Sequence, residues 1–523
     1  MSMRANLHHL LEHRALSHPD APALTAKDDT SSYAELWEQA RAVAKGLHLV
    51  GLTREQRVAV YLDKRIETVA AIFGVSAAGG AFVPVNPLLR PQQVAHIVND
   101  CGARVLITSP ERLSLLRDQL QGCRSVEHVV LVGSAVDGSP ERYAVHRWTE
   151  FCDDSAELPP SGAIDLDVAA ILYTSGSSGS PKGVVLSHRN LIAGAESVSQ
   201  YLGNTADDVV LAALPLSFDA GLSQLTTAFS VGAHVVLMNY LVPRDVVRLC
   251  AQHGVTGLTC VPPLWIQIAD LEWPAEATAS LRYFANTGGR MPKPTLDRLR
   301  EHFPGALPFL MYGLTEAFRS TYLDPAAVDE HPDSIGMAVP NAEILVVRPD
   351  GSACDPGEEG ELVHRGALVA LGYWNDPVRT AERFRPVPGR DARWHNPELA
   401  VWSGDMVVAD EDGFLYFVGR KDEMIKTSGY RVSPTEIEEV AYATGLVRDA
   451  VALGVEDPRL GQLVLLVASP AGPDGLDPIA LLDAMRSRLP VYMVPASVVV
   501  RTELPRSPNG KFDRAQLRAE LDP

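Results

Sequence analysis

The sequence predicts an α/β protein with more than one domain, in which α/β-layered units come first, a small β-rich unit follows, and an α+β domain closes the chain. Three observations carry this. A chain of 523 residues exceeds what one hydrophobic core serves. Apolar, β-branched runs alternate with helical patterns through residue 340, the signature of parallel α/β layers. Beyond that point short strands follow one another across Asp-Gly and Pro-Gly turns, which suits antiparallel pairing. Hydrophobic residues make up 46% of the chain and charged residues 21%, the balance of a soluble globular enzyme.

At the N-terminus, Glu12 and several histidines leave no apolar stretch for a signal peptide. His9-Leu10-Leu11-Glu12-His13 matches a zinc-protease pattern, and on a helix residues 9 and 13 share a face. With no third ligand or supporting motif, it reads as an amphipathic helix carrying solvated histidines. Residues 58–62 form a strand leading to a helix near Ile66. The uncharged stretch 68–89 is long enough to span a bilayer, but Gly79-Gly80 interrupts it and Pro84 and Pro87 follow. A buried helix over 66–78, a turn and a strand over 81–85 account for it. Residues 105–108, 129–132, 168–172, 209–212, 234–238 and 281–285 repeat the strand theme, with helices expected near Arg112 and from Leu191. Runs at 343–347 and 360–364 suggest a small antiparallel β-barrel at about 341–420, and 413–419 forms its last strand. From Asp422 onward about a hundred residues carry hairpin, helix, strand and helix patterns. The six cysteines show no Cys-x-x-Cys pair or zinc spacing, as expected of reduced thiols in a cytoplasmic protein. A formal net charge of −19 disfavours nonspecific binding to nucleic acid or anionic membranes.

The most informative run is 173–183, Tyr-Thr-Ser-Gly-Ser-Ser-Gly-Ser-Pro-Lys-Gly. Thr174, Ser175, Gly176, Ser177, Ser178 and Gly179 can turn backbone N–H groups and hydroxyls into a concave nest, and Lys182 adds a point charge. That combination suits nucleotide phosphates, although the run is not a Walker A sequence. The strand before it places the loop in the crevice at a strand's end, where open α/β sheets bind ligands.

This run resembles the phosphate-loop signature of the adenylate-forming superfamily, which includes acyl-CoA synthetases and stand-alone or modular amino-acid adenylation enzymes. Further motifs follow in family order: Tyr312-Gly313-Leu314-Thr315-Glu316, Ser403-Gly404-Asp405, Gly419-Arg420-Lys421-Asp422, Gly429-Tyr430-Arg431 and Pro508-Asn509-Gly510-Lys511. The resemblance covers nearly the whole chain. It implies an N-terminal adenylation domain over 1–421 and a mobile domain over 422–523, hinged at Asp422. It implies ATP and Mg²⁺ as cofactors, with adenylation of a carboxylic acid followed by acyl transfer to a thiol.

By that resemblance Lys511 is the catalytic lysine, and Thr315 and Glu316 serve ATP and the metal, glutamate being a hard oxygen ligand. Tyr312 and Gly313 would flank adenine, Asp405 would accept from the ribose hydroxyls, and Arg420 would add a ribose or phosphate contact. Ser403 stands where the family usually has threonine. Gly288 falls in the segment passing adenine and the acyl pocket, and Gly429 in the loop lining the thioester tunnel. Phe218-Asp219 resembles the Phe-Asp of amino-acid adenylation enzymes, where aspartate pairs with the substrate ammonium. A buried carboxylate needs such a partner; the alternative is that Asp219 caps a helix from Leu222. Ala220, Ser223, Cys260, Ala285, Thr287, Gly289, Met311, Arg319 and Ser320 project onto the acyl pocket. Arg319 would meet a substrate group or tie itself to Asp219, the latter favouring a small amino acid. The expected function is therefore activation of a small amino acid and its loading onto a separate carrier protein's phosphopantetheine. The alternative is an AMP-forming acyl-CoA ligase for a simple acid, using coenzyme A.

Overall fold

The computed structural model describes residues 4–134, 142–152, 158–174, 181–239, 242–291, 293–389, 397–420, 424–472, 475–505, 512 and 514–521. Two large sheets and one smaller sheet organise the chain. The first has a parallel centre in which Arg57–Tyr61 lies between Ala81–Pro84 and Val105–Thr108. His128–Leu131 and Ala144–Arg147 extend one side, and Val168–Thr174 pairs in parallel on the other. The helix Ile66–Ala77 is almost wholly buried beside this sheet, so the long uncharged stretch is core. Among the described residues no helix is long and apolar enough to cross a membrane.

The strand before the Gly/Ser run is Val168–Thr174. It pairs antiparallel with Lys182–Ser187, and only then does the helix His188–Leu202 begin. Val184, Val185 and Leu186 are buried and two of them are β-branched, so this segment is strand rather than loop. Ser187 then caps the helix, its Oγ accepting from the Asn190 backbone N–H.

In the second sheet, Pro22–Ala26, His234–Leu237, Val209–Ala212, Gly257–Cys260, Tyr283–Asn286 and Leu307–Tyr312 run parallel. Thr321–Leu323 then reverses direction, and the antiparallel strands expected at 341–420 follow. They continue this sheet instead of standing apart from it, because Ser334–Ala338 bonds both Thr321–Leu323 and Leu415–Arg420. The third sheet is built from the hairpin Ile425–Thr427/Tyr430–Val432, the long pair Val447–Asp457 and Gly461–Pro470, and Ser497–Val500. It has its own apolar core, with Ile425, Leu466 and Met485 at its centre.

Candidate active site

A cleft of about 2440 Å³ opens where the strand ends of both large sheets face the hairpin of the third. Thr174, Phe218, Asp219, Ala220, Thr287, Gly288, Gly289, Met311, Tyr312, Gly313, Thr315, Glu316, Arg319, Asp405 and Gly429 all line it, from segments far apart in sequence. Ser175, Gly176, Ser177, Ser178, Gly179, Asp422 and Lys511 lie outside the described residues.

Lys182 meets Glu316 behind the cleft wall that Glu316 lines. Lys182 Nζ donates to Glu316 Oε1 at 2.8 Å, and both side chains are largely buried. Tyr373 completes a triangle: its hydroxyl accepts from Lys182 Nζ at 2.9 Å and donates to Glu316 Oε1 at 2.6 Å. Burial pushes the Glu316 carboxyl up, but Lys182 and Arg431 outweigh it and hold the carboxyl well below the usual range. Burial pulls the Lys182 ammonium down, and Glu316 opposes that pull only in part. Thr174 Oγ1 is buried here with no hydrogen-bond partner among the described residues.

Tyr312 Oη donates to Asp405 Oδ2, joining the aromatic face to the carboxylate. Gly404, at φ +71°, turns the chain so that Asp405 enters the cleft. Ser403 does what the turn requires, because its Oγ donates to the Leu362 carbonyl at 2.7 Å and accepts from the Asp405 N–H at 3.0 Å. A threonine methyl is not needed for that. Arg420 stands opposite Asp405 in the antiparallel ladder.

The acyl end is organised by Asp219. It is the first residue of the helix Asp219–Val231, not a cap before Leu222, and Phe218 is the N-cap residue. Arg319 Nη1 donates to Asp219 Oδ2 at 3.1 Å, with side-chain exposures of 3% for Arg319 and 17% for Asp219. Burial nevertheless pushes the Asp219 carboxyl above the usual carboxylate range, so Arg319 compensates its desolvation only in part. Arg319 is aimed by a strained backbone: Phe318 has φ +57° and ψ −54°, and the Arg319 N–H closes a three-residue turn onto the Ala317 carbonyl at 2.6 Å. Gly194 makes room for the Phe318 ring, since a Cβ there would lie 2.4 Å from it.

Not every expected pocket residue reaches the cleft. Ser223 is buried against Thr227, Ser320 is hydrogen-bonded to His364 Nδ1 at 2.9 Å, and Cys260 and Ala285 are fully buried. These four stand behind the wall and shape it indirectly. Burial pushes the Cys260 thiol well above its ordinary range, so it is inert there. Tyr373 and the neighbouring Phe318 turn are the features that sequence reasoning missed. The only available signal for Tyr373 was the run Gly372-Tyr373-Trp374 beyond a strand-like stretch.

The hairpin of the third sheet reaches into the same cleft. Ser428 and Gly429 have φ of +53° and +79°, the two-residue turn with both central residues left-handed. A Cβ on Gly429 would stand 2.7 Å from Val261 Cγ2. The Tyr430 ring meets Phe218 edge-on at 5.1 Å and stacks on Tyr492 at 3.7 Å.

Among the described residues the zinc-protease pattern does not gather as a ligand set, since His9 and Glu12 come together with His8 and not with His13. His9 Nδ1 accepts from the Ala5 and Asn6 backbone N–H groups, so its Nε2 carries the proton and has no lone pair to offer. Nor are the histidines here all solvated, because His8 is buried, stacked on Trp37 and bonded to Ser76 Oγ.

The family model for AMP-binding enzymes matches residues 11–374, and that for the AMP-binding enzyme C-terminal domain matches residues 436–511. The chain belongs to the AMP-binding enzyme family. It is an AMP-forming ligase of the adenylate-forming superfamily. The long-chain-fatty-acid–CoA ligase of Salmonella typhimurium is 31% identical over 98% of this chain and 94% of its own length. Among solved structures, the o-succinylbenzoate CoA synthetase of Bacillus subtilis bound to the product analogue OSB-NCoA aligns with a TM-score of 0.83, at 26% identity over 98% of both chains. The same enzyme with the acyl-adenylate OSB-AMP gives a TM-score of 0.68 at 27% identity, also over 98% of both chains. VinN in complex with L-aspartate aligns at 0.67, with 28% identity over 80% of this chain and 100% of that one.

Proposed function

We propose that this ligase activates a small amino acid with ATP, releasing pyrophosphate, and passes the aminoacyl group to the phosphopantetheine thiol of a separate carrier protein. The observation that carries the reading is Asp219, a largely but not fully buried carboxylate on the cleft wall whose desolvation Arg319 offsets only partly. An ammonium group is the partner that would complete its compensation. The similarity to VinN, solved with an amino acid, supports this.

The roles follow from where the side chains stand. Thr174, Lys182 and the loop between them serve the phosphates, Tyr312 stacks on adenine, and Asp405 accepts from the ribose. Glu316 is the oxygen donor that fits magnesium, being a hard ligand held ionised in a buried setting. The ion would supply charge neutralisation on the phosphates. Arg420 joins the ribose or phosphate, and Lys511 stabilises charge developing at the reacting carboxylate. Residues 1–421 form the adenylating domain in this reading, and 422–523 turn about Asp422 between the two half-reactions. The Gly429 hairpin at the cleft, together with the higher TM-score against the OSB-NCoA complex than against the OSB-AMP complex, supports the present arrangement being the thiol-transfer one.

ATP–pyrophosphate exchange, run with amino acids and their desamino counterparts of equal size, tests the acid. In Asp219→Ala the preference for the amino form is expected to fall by a hundredfold or more, since breaking a buried pair costs about 3–5 kcal/mol. An unmoved ratio in a mutant of near-native melting temperature would reject amine recognition. A second reading would then lead: an AMP-forming acyl-CoA ligase for a simple acid, which the existing Asp219–Arg319 pair and the likeness to a fatty-acid ligase favour.

A further inference from the structure

We infer that Tyr373 is the positioning residue of the phosphate site, holding Lys182 against Glu316 so that cation and carboxylate mask one another while no phosphate is bound. The inference rests on the phosphate-site roles proposed for Lys182 and Glu316. Its physical basis is the closed triangle of Lys182 Nζ, Tyr373 Oη and Glu316 Oε1, with contacts of 2.6–2.9 Å. The ammonium also lies 4.4 Å from the centre of the Tyr373 ring, within cation–π range.

The phenol cannot move away easily. Gly372–Tyr373 pairs antiparallel with the strand that begins at Lys182, and the Trp374 N–H donates to the Gly183 carbonyl at 2.7 Å. The Tyr373 N–H is held by Thr380 Oγ1 at 2.9 Å, and Gly372 sits at φ +140° with Thr380 packed where a Cβ would go. Lys182 is at a strand end and can swing; Tyr373 is a fixed post beside it.

Binding of a phosphate group has to draw Lys182 off this post. The Lys182-to-phenol hydrogen bond exists only in the masked arrangement, whereas the phenol-to-Glu316 bond can persist after Lys182 leaves. Removing the hydroxyl therefore destabilises the masked state more than the open one, and the apparent affinity for phosphates rises by the population released. A ligand bringing both a phosphate and a cation satisfies both halves of the split pair at once. Either half alone has to break the pair unaided, so phosphate and metal bind cooperatively.

The test is isothermal titration calorimetry of the whole protein with pyrophosphate in the presence of a chelator, with no acid, thiol or divalent cation. Tyr373→Phe is expected to tighten binding about tenfold to a hundredfold, the worth of one hydrogen bond to a charged group. Glu316→Gln, which keeps the phenol and removes the pair's negative charge, is expected to tighten it further. Both gains should vanish in a Lys182→Met background, because the masked cation is then absent. Weaker or unchanged binding in Tyr373→Phe would overturn the inference, as would a gain that persists without Lys182. Loosened packing predicts weaker binding in both backgrounds, and simple charge repulsion predicts a Glu316→Gln gain in both. As no acid is present, the result is independent of whether an amino acid is the substrate.

Discussion

Asp219, largely buried, and Glu316, almost fully buried, are two carboxylates in one cleft whose surroundings drive them apart. Burial pushes Asp219 up, whereas Lys182 and Arg431 hold Glu316 down against burial. An acid with a raised pKa is ionised only above that pKa, so ammonium recognition by Asp219 is present above it and lost as pH falls through it. The kcat/KM for the amino acid should therefore show an acid limb above the ordinary Asp range of about 4. The KM for ATP should not share that limb, because Glu316 stays ionised throughout. In Asp219→Asn the limb should disappear at a lower overall level; its survival would assign it to another group. Residues with a motif around them were legible from the sequence: Glu316 and Asp405 line the cleft, and Lys182 holds Glu316 from behind. Tyr373 was not, because its partners lie 191 and 57 residues away and nothing local marks a tyrosine as a post. The Asp219–Arg319 pair was foreseen only as one of two options, since a sequence cannot say whether a strained turn will aim the guanidinium.

Elements were easier to predict than their junctions. The strands and helices of the α/β layers fall close to where apolar periodicity put them, and Ile66–Ala77 is buried as its composition demands. The strand Lys182–Ser187 between the Gly/Ser loop and the next helix was not foreseen, because its first residue belongs to the loop's motif and masks the short apolar run behind it. The hairpin Ile425–Thr427/Tyr430–Val432 gives the sharpest element-level prediction. Gly429 combines a left-handed φ with a close approach to Val261, so any side chain strains the turn and pushes it off the cleft. Gly429→Leu should leave pyrophosphate exchange near the wild-type rate and strongly reduce aminoacyl transfer to thiol. Measuring both half-reactions separately decides it, and equal loss in the two would remove the case for a hairpin that serves only the second.

For the molecule as a whole, the multi-domain α/β plan could be read because length, alternation and turn chemistry agree. The joining of the antiparallel wing to the parallel sheet could not, since Ser334–Ala338 pairs with residues some eighty positions on. Four histidines set an acid limit on the folded state. Burial holds His8 and His364 down to about 3, and His188 and His234 to about 4, against an ordinary value of 6.5. Below about pH 6.5 the unfolded chain takes up protons that the folded chain refuses, so stability is full above that pH and falls as pH drops toward 4. Each such site contributes up to about 1.4 kcal/mol per pH unit. Melting temperature should decline steeply from pH 6.5 to 4.5, and a flat profile down to pH 5 would contradict it. The third sheet meets the rest through polar contacts as well as through the hairpin: Arg90 donates to the Leu489 and Arg486 carbonyls at 3.1 and 2.9 Å, and Gln93 donates to Glu436 at 2.8 Å. Such a seam acts as a detent and not as a weld. Each bond it gives up on opening is replaced by one to water, at a net cost of only about 1 kcal/mol. For an enzyme proposed to swing once in each direction per turnover, a seam of this kind keeps the return stroke from becoming the slow step.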